Sequence, residues 1–259
     1  MGTVVSFSLR EAERATDGAP SGSDAAARAA AEAALERAAA KLRWVDDVFS
    51  TWKPQSPVSR LRRGEIELDA APPEVAEVLE LCRRVKDATD GWFDPWSMPG
   101  GLDPTGLVKG WAAEQALDEI KKAGVPAALI NAGGDIAAYG RPAPGQPWRI
   151  GIRHPLAEDR LLLMVELDGP GAIATSGTYE RGEHLIDPHT GAPAHGLLSA
   201  TVVGLDLTFA DALATALFVS GGRLLERISR LAGYHGFTVS GDGVVRATRG
   251  LPVALKNAA

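Results

Sequence analysis

The stretch Ala128-Leu129-Ile130-Asn131-Ala132-Gly133-Gly134-Asp135-Ile136 decides the fold class. Its apolar start is too short for a helix and runs straight into a two-glycine turn, which is how a strand ends at a tight reversal. Just upstream, Gly124 closes a helical pattern over residues 111–123, because glycine readily takes the left-handed backbone that ends a helix. Downstream, β-like runs at 148–153, 161–167, 172–175 and 199–204 follow one another. Helical spacing then returns at about 208–219 and 223–232, and strand-like segments at 237–240 and 244–248 close the chain. Toward the N-terminus, residues 91–110 are rich in glycine and proline and read as irregular. Before them, a helix after Pro72 and Pro73 turns Val75, Val78, Leu79, Cys82 and Val85 inward. Glu65 to Leu68 reads as a short strand and Pro54 and Pro57 as a loop. An alanine-rich helix that Asp24 would cap puts Ala31, Leu35, Ala38, Leu42, Val45 and Phe49 on one face. Residues 16–23 read as an exposed loop after an alternating first strand. Helices and strands come in blocks without a βαβ alternation, so the expected fold is α+β. It is a single compact domain over 1–259, with a mostly antiparallel sheet packed by helices.

With 259 residues, 45% of them hydrophobic, the chain can bury a real core. A net charge of −6 provides no electrostatic footprint for nucleic acid or an anionic membrane. A ligand carrying a pyrophosphate would therefore need a local device, such as a metal ion or backbone amides. The single cysteine, Cys82, excludes an intramolecular disulfide and a thiolate zinc site, and its place on an apolar stripe predicts a buried, inert thiol. No run of 18 apolar residues exists, so no membrane span is expected. The first residues lack the parts of a secretory signal, and the expected location is the cytoplasm. Gly2 with Ser6 matches the myristoylation pattern, a short one common by chance.

Four polar clusters fall where chemistry is expected. Residues 103–110, Asp-Pro-Thr-Gly-Leu-Val-Lys-Gly, would suit a phosphate through helix-start amides and Lys109, or would form a capped helix start with a solvent lysine. The glycine spacing before the lysine is not that of a Walker loop. Residues 131–135 let a backbone approach a ligand closely, or form a plain tight turn. Residues 174–191 gather hydroxyls, Arg181, His184, His189 and Asp187 between glycines and Pro188, a density that favours a ligand site without naming the ligand. On an apolar helix, Asp211 and Thr215 stand at i and i+4, so both oxygens leave one face. They are hard ligands of the kind magnesium takes; alternatively, Asp211 caps the helix start and Thr215 bonds back to a carbonyl.

In this order the clusters resemble the ApbE family, the FAD:protein FMN transferases. The matching pieces are residues 49–52 (Phe-Ser-Thr-Trp), 91–95 (Gly-Trp-Phe-Asp-Pro), 103–112, 131–136, 174–179, 184–191 and 210–216. The resemblance implies a T-fold-like domain that uses Mg2+ and takes FAD as substrate. The FMN half would pass to a Ser or Thr hydroxyl of an acceptor protein, with AMP leaving; neither nucleic acid nor a membrane span is a partner. Asp211, Thr215 and the carbonyl of Gly106 match the family's metal ligands. Met1, Thr3, Trp52, Trp92, Phe93, Asp94, Asp103, Lys109, Ser176, Gly177, Tyr179 and Ile186 fall where the family meets FAD. His184 would be the general base or a phosphate partner, oriented by Asp187, with Asp211 completing the catalytic set. The chain departs from the pattern in three places. Only residues 96–102 separate the Phe-Asp-Pro and Asp-x-x-Gly motifs, residues 105–106 read Thr-Gly where Gly-Gly is frequent, and Arg62 stands where the family pattern has Asn. The shortened connection would trim a lid over the flavin. An FAD pyrophosphatase would use the same residues with water as acceptor, and an FAD-binding protein would keep the aromatics without needing Asp211 and Thr215.

Overall fold

Alternation along neighbouring strands sets the layering. In β2 (Ala127–Ala132), Ala128, Ile130 and Ala132 face one buried cluster while Ala127 and Leu129 face another; β3 (Asp135–Tyr139) splits its residues in the same way. Side chains of a strand point alternately to opposite faces, so a sheet with apolar residues on both must be covered on both. A computed structural model describes residues 3–10, 22–177 and 185–254 of the chain. It shows a seven-stranded sheet ordered β1 (Val5–Arg10), β2, β3, β6 (Gly171–Gly177), β7 (Leu197–Gly204), β8 (His235–Ser240) and β9 (Val245–Ala247). Every neighbouring pair is antiparallel.

One face carries the helices α1 (Gly22–Phe49), α2 (Pro57–Arg62), α3 (Pro73–Ala88), α4 (Thr105–Lys122), α5 (Leu207–Val219) and α6 (Leu225–Ile228). The other is covered by a separate two-stranded ribbon, β4 (Trp148–His154) and β5 (Ala157–Leu167), whose Trp148, Ile150, Val165 and Leu167 pack on Ile136, Ile173 and Phe237. The fold is the expected single α+β domain with an antiparallel sheet and helices. The ribbon as a separate layer is an addition.

Several boundaries differ from the sequence reading, each for a local reason. Ser56 accepts a hydrogen bond from Ser59 N at 3.0 Å and Pro57 opens the first turn, so the supposed loop starts α2. Residues 65–68 form no strand; a 3-10 turn spans Leu68–Ala70. The helix expected from 111 begins at Thr105, six residues earlier, because Gly106 and Gly110 serve close packing rather than chain reversal. The helix expected over 223–232 shrinks to Leu225–Ile228. In α1 the buried stripe includes Ala34 and Val48, which the expected face left out. In α3 all five expected inward residues are buried.

Candidate active site

Helices α4 and α5 meet at Gly110. A Cβ there would run into the backbone carbonyl of Leu207 and lie 3.1 Å from the Asp211 Cβ, so only glycine permits this approach. The close crossing brings Lys109 of α4 beside Asp211 of α5. Asp206 caps α5, accepting from Phe209 N at 2.8 Å, and this leaves Asp211 in the helix interior rather than at its start. Asp211 Oδ2 accepts from the Gly110 N–H at 3.0 Å, and its Oδ1 lies 3.3 Å from the Lys109 Nζ. One turn on, the Thr215 hydroxyl sits 3.2 Å from the Ser176 hydroxyl of β6.

A third charged group enters from the sheet. Asp135 opens β3, is 2% exposed, accepts from Thr175 N at 2.9 Å through Oδ1 and pairs with the Lys109 ammonium through Oδ2. Two buried carboxylates thus share one lysine. Burial alone would lower the Lys109 pKa, but Asp211 and Asp135 together raise it. Burial pushes the Asp211 carboxyl up to about 7; Lys109 opposes that rise and Asp135 adds to it. The cluster carries a surplus negative charge beside a hydroxyl, which is what a further cation would relieve. Among the described residues no three His, Cys, Asp or Glu side chains gather as a metal-binding group. A metal here would complete its shell with the Thr215 hydroxyl, a carbonyl such as that of Gly106, water and ligand oxygens, as magnesium does. The residues fit such an ion.

Asp211, Thr215, Lys109, Gly106 and Ser176 line a cavity of about 620 Å³ together with Trp52, Trp92, Phe93 and Met98. Trp52 is 90% exposed, a large free aromatic face at the site. Trp92 is set by its neighbours, with the His189 ring centred 4.4 Å from it and the Arg223 guanidinium 5.4 Å away. Asp94 and Asp103 line the cavity too, but their carboxylates are engaged by the chain itself. Asp94 accepts from Trp96 N at 3.0 Å and Ser97 Oγ at 2.8 Å and pairs with Lys86 at 2.7 Å. Asp103 holds the start of α4 through Thr105 N at 3.0 Å and its hydroxyl at 2.6 Å. Gly177 and Ile186 lie on the wall. Thr3 stands behind it, packed on Gly133, whose φ of +64° and lack of a side chain make room for the threonine. Asp187 is absent from the wall; its Oδ1 accepts from His189 N at 2.8 Å and meets the His189 ring at 3.2 Å. Met1, Tyr179 and His184 lie outside the described residues. Asp135 falls inside the 131–135 cluster of the sequence reading, which gives it no role of its own. Its only signal there is an acid at the end of a two-glycine turn, just before an apolar run.

Fold and cavity together define a class: an α+β protein whose pocket pairs aromatic surfaces with an anionic, lysine-bearing seat. The ApbE family model matches residues 1–100 and 97–235, and the chain belongs to the ApbE family. It is 32% identical over 152 residues to the FAD:protein FMN transferase of Salmonella typhimurium, a match covering 55% of this chain and 43% of that protein. With the FAD:protein FMN transferase of Rhodobacter capsulatus it shares 35% over 156 residues, 57% of this chain and 29% of that one. The matched region therefore spans less than half the length of these relatives. The ApbE protein of Thermotoga maritima superposes with a TM-score of 0.73 at 26% identity, covering 86% of this chain and 89% of that one. The flavin transferase ApbE of Vibrio cholerae superposes at 0.76 over 96% and 94%; at 21% identity this likeness speaks for the fold alone. Among the described residues no helix is long and apolar enough to cross a membrane.

Proposed function

We propose that this chain is a magnesium-dependent FAD:protein FMN transferase. An acceptor Ser or Thr oxygen attacks the FMN-side phosphorus of FAD, the new P–O bond forms as the bond to AMP breaks, and the hydroxyl proton passes to a base. The observation that carries this reading is the placement of Asp211 and Thr215, one helical turn apart, on the wall of a cavity that also presents Trp52 and Trp92. Mg2+ held by Asp211, Thr215 and the Gly106 carbonyl would offset the charge of the pyrophosphate. Lys109 supplies a second positive group beside the same phosphates. The aromatic surfaces are suited to stacking on the flavin ring, as paired π-faces prefer offset contact. His184 is the proposed base. Asp187 is the residue proposed to orient it.

The test combines the protein, FAD, Mg2+ and an acceptor protein, read by in-gel flavin fluorescence and intact mass. The expected result is a fluorescent acceptor heavier by one FMN, with one AMP released per flavin, and no product from Asp211→Ala. Free FMN with an unmodified acceptor would instead identify a pyrophosphatase, and flavin bound without any cleavage a carrier.

A further inference from the structure

We propose that Lys109 is a built-in competitor for the metal seat, and that Asp135 is the positioning residue that receives its ammonium when a divalent ion binds Asp211. This rests on the reading of Asp211 and Thr215 as metal ligands. Asp211 has one oxygen committed to the Gly110 N–H at 3.0 Å, so Oδ1 is the oxygen left for a metal. That same oxygen faces Lys109 Nζ at 3.3 Å. The lysine and a divalent ion therefore contend for one atom.

Asp135 is built to resolve the contest. It is 2% exposed, and the Thr175 N–H at 2.9 Å pins its Oδ1, which leaves Oδ2 aimed at Lys109. Lys109 can leave Asp211 without losing its ion pair. With no partner at position 135, the partly buried ammonium would have Asp211 as its remaining carboxylate partner and would hold it more tightly. Charges this close in a poorly hydrated site act strongly on one another, so the berth should govern metal affinity.

The test is a Mn2+ titration of the chelator-treated full chain without FAD, with the free ion followed by electron paramagnetic resonance. Lys109→Met keeps the aliphatic stem and removes the competitor; it should bind Mn2+ about tenfold more tightly than wild type. Asp135→Asn keeps the acceptor for Thr175 N and removes the berth. It should weaken binding roughly tenfold when Lys109 is present, but less than about threefold in the Lys109→Met background, since the coupling vanishes with the lysine. An equal loss in both backgrounds would mean simple charge removal and overturns the proposal, as does a Lys109→Met protein that binds no tighter than wild type. If Lys109→Met fails to fold by circular dichroism, Lys109→Gln takes its place in both arms, with the same outcomes deciding. Absence of Mn2+ binding in every form sinks the metal seat together with the inference. Intact binding without FMN transfer to an acceptor sinks only the transferase reading.

Discussion

Asp211 is 3% exposed, and burial raises its carboxyl to about 7, well above the ordinary carboxylate range. A group that holds its proton more firmly folded than unfolded favours folding while protonated, and that contribution fades as pH rises through the folded value. The metal-free protein should therefore lose stability between about pH 4 and pH 8, by an amount on the order of a few kcal/mol. Asp211→Asn keeps an acceptor for the Gly110 N–H and removes the titration. Its melting temperature in chelator should fall less over that range, and an unchanged slope would show that another group is responsible. In the sequence, the i, i+4 spacing of Asp211 and Thr215 was legible, but the choice between metal pair and helix cap was not. Asp206, five residues earlier, takes the cap, and that fact exists only once the start of α5 is known. Asp135 was less legible still. Its partner Lys109 is twenty-six positions away, and pairing across a helix and a sheet leaves no trace in local spacing.

At the level of elements, the crossing of α4 and α5 positions the charged cluster, and Gly110 permits it. Gly110→Ala would place a methyl against the Leu207 carbonyl, with the carbonyl carbon 2.8 Å away. We expect a loss of about 1–3 kcal/mol in urea melts, as overpacking in a close contact usually gives. Because the helices must part to accept the methyl, metal affinity should drop beyond what stability alone accounts for; a destabilised variant with wild-type Mn2+ binding would detach the crossing from the site. The helix α3 could be read from its apolar spacing alone, since its inward stripe packs in the core. The start of α4 could not. Glycine is a poor helix former in isolation, and at Gly106 and Gly110 tertiary contact overrides that preference. The same applies to α2, where Pro57 looks like a breaker until Ser56 supplies the cap.

For the whole molecule, a ligand that binds only the folded state raises the melting temperature by mass action. Mg2+ with FAD near one hundred times its dissociation constant should add about 2.7 kcal/mol, a shift of roughly 5 °C or more for a chain of this length. In Asp211→Ala, FAD should keep part of that shift and Mg2+ should add nothing; a full magnesium increment in the variant would place the ion elsewhere.

The β4–β5 ribbon leaves the sheet after β3 and the chain rejoins it at β6, directly alongside, so the seven strands close ranks without it. The cavity opens among the helices on the reverse side and draws no wall residue from the ribbon. A hydrophobic swap on the ribbon thus reaches the pocket only through the sheet, where Ile136 and Ile173 stand on the strands that carry Asp135 and Ser176.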